Sequence, residues 1–444
     1  MPQNGATSGP GGDTKGERRV RVALLSYRSK PHCGGQGVYV RHLSRELARL
    51  GHSVEVFSGP PYPDLDEGVA LTQVPSLDLY REPDPFRVPH LREFRDLVDV
   101  EEFLTMCTAG FPEPKTFSTR VARLLADRVD EFDVVHDNQV LGYGILDIER
   151  KLGLPVVTTI HHPITFDRRI DLAAATTWRK RLTLRRWYGF LRMQGRVARQ
   201  ARLILTPSDA SRRDIAADFG VDPSRMRTIR LGVDDGFVPP TERRVPGRIL
   251  AMASADAPMK GIATLLEAFA KLRVERPHLE LVLVTKPVAG GRTERLIDEL
   301  GLAGAVRFVH GLTDAQLVGL MGSAELACVP SLYEGFSLPT AELMACATPL
   351  VVSRAGAIPE VVGTDGDCAD LVEPGDVGEL THAIEALLDD PERRARMGAA
   401  GRQRVLDHFS WRAVARATAT AYAESRHARG ARGSTTGSES DADR

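Results

Sequence analysis

Along most of the chain, short runs of Val, Leu and Ile bounded by Gly, Pro or Asp alternate with longer stretches whose apolar residues recur at helical spacing. This alternation predicts repeated strand–helix–strand units and an α/β protein built on parallel sheets. In the first unit VRVALLSY reads as a strand, CGGQG as a Gly-rich turn, VYVRHLSRELARLG as an amphipathic helix and HSVEVFSG as the next strand. Val38, Leu43, Leu47 and Leu50 fall on one face of that helix. Further strands are expected at FDVVH, LPVVTTI, ARLILTP and MRTIRLGV. The Pro- and charge-rich break DDGFVPPTERRVPG ends this series, and a second one follows: GRILAMAS, a helix from about Gly261 to Arg273, LELVLVT, AVRFVHG, ELACVP, TPLVVS and CADLVEP.

Two doubly wound domains result, residues 19–240 and 241–408, joined by a linker near 236–246. Residues 76–116, with YREPDPFRVPHLREFRDL, are too proline-interrupted for a regular βα unit and read as an insertion in the first domain. Residues 1–18 and 428–444 offer little apolar surface to bury and read as disordered tails. Ligands of such sheets bind where the strands end at their carboxyl side, so the cleft between the domains is the natural site.

Composition narrows the class. The 444 residues carry 58 Lys+Arg against 59 Asp+Glu, a net charge of −1, which leaves no wide basic field for a dedicated nucleic-acid binder. Five cysteines without a CxxC pair indicate neither a disulfide framework nor a zinc site. The opening residues lack the apolar region of a secretory signal, and no run reaches the roughly 18 apolar residues of a membrane span, so a cytoplasmic enzyme is expected.

Two segments carry candidate chemistry. CGGQG lies between the first strand and helix, where backbone N–H groups and the helix dipole favour an anion; a tight turn without a ligand fits the same residues. SLYEGFSLPTAELMACATPLVVS sets Glu334 and Glu342 eight positions apart around the turn Gly335–Ser337, with Pro339 in the first turn of a helix. The N–H groups of Phe336, Ser337 and Leu338 would point at whatever binds there, and Glu342 can reach a ribose diol. As an alternative, both glutamates are surface charges of a helix start.

EGFSLPTAE resembles the Glu-x7-Glu motif of retaining GT-B glycosyltransferases, the group that includes sucrose synthase, glycogen-synthase-like enzymes and bacterial phosphatidylinositol mannosyltransferases. GGQGVYVRHLSRELARLGHSVEVFS, FDVVH, VVTTIHHP, ILTPSDASRRDI, IRLGVDDGF and MKGIATLLEAFAKLR resemble further segments of that family in the same order, over most of the chain. The resemblance implies a GT-B fold, two Rossmann-like domains facing each other across a cleft, with residues 409–427 crossing back to the first domain. It implies a nucleotide-diphospho-sugar as donor substrate, no further cofactor, no metal, and retaining transfer of a hexosyl unit to a hydroxyl of a glycan, lipid-linked or small-molecule acceptor. Glu342 would hold the ribose, Glu334 the donor sugar hydroxyls, Lys260 the pyrophosphate, and N–H groups from Gly335 to Leu338 sugar and phosphate. His161 would lie near the reacting carbon, and Gly34 and Gly35 in a loop closing on phosphate and acceptor.

Departures from the family pattern are Ser254 in SADAPMKG, where an Arg usually stands about six residues before the Lys, and Leu231 where the family has Asn. The missing cation keeps a non-catalytic nucleotide-sugar or glycan sensor as an alternative, beside a GT-B sugar-nucleotide epimerase or phosphorylase-type enzyme. Of the adjacent His161 and His162, one is expected to face the cleft and the other the core. The Asp365–Asp367 DGD reads as turn chemistry before a metal site. From Trp178 to Arg202 nine Arg/Lys interleave with aromatic residues and no carboxylate. That stretch reads either as a peripheral contact with an anionic membrane or as a long helix with its aromatic face inside.

Overall fold

A computed structural model describes residues 19–29, 35–81, 83–252 and 256–433, with side chains to residue 427. Gly34 and Ser254 lie outside the described residues. The first sheet comprises β1 (Arg21–Ser26), β2 (Ser53–Ser58), β3 (Ala70–Gln73), β4 (Val134–Asn138), β5 (Val156–Thr159), β6 (Ile204–Thr206) and β7 (Met226–Thr228). The second comprises β8 (Val245–Met252), β9 (Glu280–Val284), β10 (Val306–Val309), β11 (Ala324–Val329), β12 (Leu350–Ser353) and β13 (Asp370–Val372). Their spatial orders are β3-β2-β1-β4-β5-β6-β7 and β10-β9-β8-β11-β12-β13, and every pairing is parallel.

Central strands are apolar on both faces because helices cover both: Val22, Leu24, Val134 and Val157 sit in one core layer, Ala23, Leu25, Val135 and Ile204 in another. Strand order reverses between β1 and β4 and again between β8 and β11, so each domain opens a crevice there. The strand β3 went unseen in the sequence for a physical reason. It is an edge strand, three of its four residues are exposed, and no alternation marks it.

Helix Trp411–Gly433 lies across helix Gly35–Arg49, and Tyr422 is fully buried, its hydroxyl 2.7 Å from His136 Nδ1 on β4. Trp411 stacks on His42 and Val233 bridges Ser410, so this segment is welded to the first domain. Residues 76–116 hold real helix. Leu97–Cys107 is capped by Asp96, and the buried Asp99 and Glu102 of that helix meet Arg120 on helix Glu113–Ala126.

The basic stretch is not one long helix with an inward aromatic face. It breaks into Trp178–Trp187, a single 3-10 turn at Tyr188–Phe190 and Leu191–Ala198. Trp187 and Phe190 pack with Phe111, whereas Trp178 is 70% exposed and no residue of Trp178–Trp187 is buried.

Candidate active site

The loop after β11 and the helix Leu338–Ala345 form the floor of the cleft on the second domain. Ser337 begins that helix with φ 78° and ψ 71°, a left-handed conformation that is uncommon outside glycine. The backbone N–H groups of Phe336, Ser337 and Leu338 have no acceptor among the described residues, and Pro339 has no N–H to offer. Three donors therefore converge at a helix N-terminus, an arrangement suited to phosphate. The Phe336 side chain takes no part: it is buried, edge-on to Phe409 at 5.6 Å.

Lys260 ends the 3-10 turn Pro258–Lys260, and Gly261 follows with φ 65°. A Cβ at Gly261 would stand 1.9 Å from the carbonyl of Pro330, so only glycine lets the lysine loop meet the end of β11. Lys260 Nζ reaches Glu334 Oε1 at 2.7 Å, and Ser331 Oγ donates to the same oxygen at 2.7 Å. Glu342, one turn into the helix, is half-buried, and its carboxylate makes no hydrogen bond among the described residues. Burial, with the nearby charges of Asp314 and Asp234, pushes its carboxyl up to about 7.

Across the cleft, His161 and His162 follow β5. His161 Nε2 lies 2.8 Å from Asn138 Oδ1, its backbone N–H donates to Gln139 Oε1, and Tyr39 stands edge-on at 4.8 Å. Burial holds its imidazole at about 3, so the ring is neutral at physiological pH. His162 does not turn to the core. It is half-buried and pairs with Asp167 at 3.2 Å, in the first turn of the helix Thr165–Ala174 that starts three residues on. Gly35 opens its helix exposed, with no atom within 4 Å of where a Cβ would stand.

The domains meet at these same residues. Ser208 and Ser211 Oγ donate to the Gly335 carbonyl at 2.7 and 3.0 Å, and Glu360 accepts from the N–H groups of Asp209 and Ala210. Tyr333 donates to Asp214 and stacks on Phe166 at 4.0 Å. A Cβ at Gly335 would lie 2.7 Å from the His161 carbonyl. Sequence reasoning overlooked Asn138, Gln139, Ser208, Ser211 and Glu360; the polar run HDNQ at the end of an apolar strand was the available signal. The structure thus brings Lys260, Glu334, Gly335 and His161 to one cleft. Asp365 and Asp367 share an exposed turn, Asp367 N–H donating to Asp365 Oδ1, and among the described residues no group of three or more His, Cys, Asp or Glu could hold a metal.

Residues 239–404 match the family of glycosyl transferases group 1, and residues 33–237 match Glycosyltransferase Family 4. The MMP alpha-(1->4)-mannosyltransferase of Mycolicibacterium hassiacum is 60% identical over 404 residues, 91% of this chain and 98% of that protein. The chain belongs to the group 1 glycosyltransferases. D-inositol 3-phosphate glycosyltransferase 2 of Catenulispora acidiphila is 30% identical, over 91% of this chain and 95% of that one. Among solved structures, the sucrose-phosphate synthase of Thermosynechococcus elongatus superposes with a TM-score of 0.69 at 23% identity, over 91% of this chain and 99% of that one. Anabaena HepE, solved in complex with UDP-glucose, gives 0.64 at 17%, over 91% and 100%. At these identities the two likenesses carry the fold, and the fold of this glycosyltransferase is GT-B, two parallel Rossmann-like sheets. It is a hexosyltransferase.

Proposed function

We propose that this glycosyltransferase moves an α-mannosyl unit, with retention, from a nucleoside-diphosphate mannose to the 4-hydroxyl of a mannoside acceptor. The 60% relative, named for α-(1→4) mannosyl transfer, supports the sugar and the linkage. The observation that carries the donor class is the Lys260–Glu334 pair beside three unpaired N–H groups at a helix start. A departing nucleoside diphosphate gains negative charge as the glycosidic bond breaks, and a preorganised ammonium and N–H donors stabilise that charge where water is excluded. Glu334 then takes the sugar hydroxyls, Glu342 the ribose diol, and neutral His161 faces the sugar from the other wall. Incubation with GDP-, UDP- and ADP-mannose and their glucose counterparts, each with a mannoside acceptor, tests this. Diphosphate release with a mannose donor and an α-(1→4) product are expected; release from glucose donors alone, or none without hydrolysis, would overturn it.

A second reading concerns the acceptor side. Arg179, Lys180, Arg181, Arg185 and Arg186 are all exposed beside Trp178, and we read this helix as touching an anionic surface, either a membrane face or an acidic, lipid-linked acceptor. Among the described residues no helix is long and apolar enough to cross a membrane.

A further inference from the structure

Asn138 ends β4 with none of its surface exposed, in register with Thr159, the last residue of β5, two positions before His161. Its Oδ1 is 2.8 Å from His161 Nε2, while its Nδ2 is buried without a partner. An unmatched buried donor costs about 1–3 kcal/mol, and a leucine has the same branched skeleton without an amide to leave unmatched. Packing therefore does not account for an amide here; its contact with the ring does.

An amide oxygen only accepts, so the imidazole nitrogen facing it carries the proton. The rest of His161 is held equally closely. Its N–H donates to Gln139 Oε1 at 2.6 Å, its carbonyl lies 2.9 Å from Ser211 Oγ and shares that hydroxyl's one proton with the Gly335 carbonyl, and Tyr39 blocks one side of the ring. Nδ1 has no partner among the described residues and is not one of the buried unmatched atoms, so it remains open on the half-buried side of the residue. The His161 backbone adjoins Gly335, whose missing side chain leaves the loop after β11 against the His161 carbonyl.

We propose that Asn138 is a positioning residue that holds His161 in the neutral Nε2–H tautomer, leaving Nδ1 as a hydrogen-bond acceptor for a hydroxyl of the transferred hexose. The inference rests on the transferase reading, but the tautomer is measurable without turnover. No carboxylate opposes this state. On β4 Asp137 turns to the N–H groups of Val140 and Leu141, and neutral His136 bonds Tyr422 and Thr159. Asp167 is engaged by His162, Asp214 by Tyr333, and Glu334 by Lys260.

The test is the ¹⁵N spectrum of the histidine rings in the full chain, with the His161 signals assigned by their loss in His161→Phe. In the parent, Nε2 is expected protonated and Nδ1 bare across pH 5 to 8. Asn138→Leu is expected to fold, to show a tautomer mixture, and to lose about 10- to 100-fold in kcat with little change in donor KM, the size of one lost oriented contact. Asn138→Asp keeps the shape and adds a carboxylate, which favours the imidazolium; a new acidic limb is expected in its kcat profile that the parent lacks. A protonated Nδ1 in the parent, as the opposite amide orientation would impose, overturns the proposal. So does an Asn138→Leu variant with unchanged kcat and unchanged tautomer.

Discussion

Lys260 and Glu334, 74 positions apart, form an ion pair of 2.7 Å on the cleft floor, with side chains 26% and 12% exposed. The pair sets the ammonium beside the donor loop before any donor arrives, so its orientation costs little during reaction. A phosphate entering there shares the ammonium with Glu334.

Lys260→Ala is accordingly expected to lower kcat/KM by about 10²- to 10³-fold, the loss seen on removing one preorganised stabiliser of developing charge. Lys260→Arg should recover part of it, since charge returns with a different geometry. Steady-state kinetics with the mannose donor check this; kcat/KM within twofold of the parent for Lys260→Ala would remove the lysine from the mechanism.

Much of this was legible in the sequence and some was not. The strands and the Glu334–Glu342 spacing could be read because core strands are continuous apolar runs and the loop with its helix is a contiguous segment, whereas Lys260 came from the family resemblance alone. Asn138, Ser208 and Glu360 could not, because each acts through a partner at least 23 residues away, reached only once the sheets fold and the domains meet. The expected split of His161 and His162 between cleft and core does not hold, both being half-buried, because strand alternation ends with β5 at Thr159, before either histidine.

Glu342 gives a pH prediction. Its carboxyl, pushed up to about 7 from an ordinary value near 4.5, holds a proton in the folded state that the unfolded chain has already released. Its contribution to stability therefore falls as pH rises from about 4.5 through 7, and Glu342→Gln should gain Tm relative to the parent at pH 8 but not at pH 4.5. Donor binding moves the other way. In the proposed role the ionised carboxylate would accept from both ribose hydroxyls, so donor affinity should weaken as pH falls from 8 to 6. Glu342→Gln should bind about 10- to 100-fold more weakly at pH 8, as for loss of hydrogen bonds to a charged group, with the pH dependence flattened. Calorimetric titration at several pH values decides; a parent whose affinity is flat across this range would contradict the assignment.

Gly335 offers a test of domain contact. An alanine Cβ there would stand 2.7 Å from the His161 carbonyl and 3.0 Å from the His162 Cβ, both in the other domain. Gly335→Ala is expected to hold the domains apart, raising the radius of gyration in solution scattering and lowering kcat at least tenfold, while each domain keeps its fold. Full activity in this variant would show that the transferring state does not need this approach.

Chelation tests the charge-stabilising roles from another side. With Lys260 and the helix N–H groups assigned to the leaving diphosphate, and Asp365 and Asp367 to a turn, activity should survive EDTA, and Asp365→Asn should match the parent. Complete loss on chelation with recovery by Mn²⁺ or Mg²⁺ would return attention to that turn.

The exposed helix Trp178–Trp187 carries the last prediction. Five cations, Arg179, Lys180, Arg181, Arg185 and Arg186, face solvent on a chain whose net charge is −1, and Trp178 stands beside them 70% exposed. Near an anionic lipid surface each such cation contributes roughly 1 kcal/mol, and the exposed indole suits the headgroup layer. The fold leans little on these charges: the helix buries no residue, Trp187 packs on Phe111 and Tyr80, and of the five only Arg181, to the Ala175 carbonyl, and Arg186, to Thr108 Oγ1, hydrogen-bond to the rest of the domain. Replacing all five by Gln should therefore lower Tm only slightly and leave donor affinity unchanged while reducing sedimentation with phosphatidylserine-containing vesicles. The parent's binding should fall steeply between low and physiological salt, since screening acts on exposed charges, and the variant's should be nearly salt-independent. No vesicle binding by the parent would set the membrane aside; a raised acceptor KM in the variant, with donor KM unchanged, would then assign the helix to an acidic acceptor, and unchanged kinetics would leave it neither role.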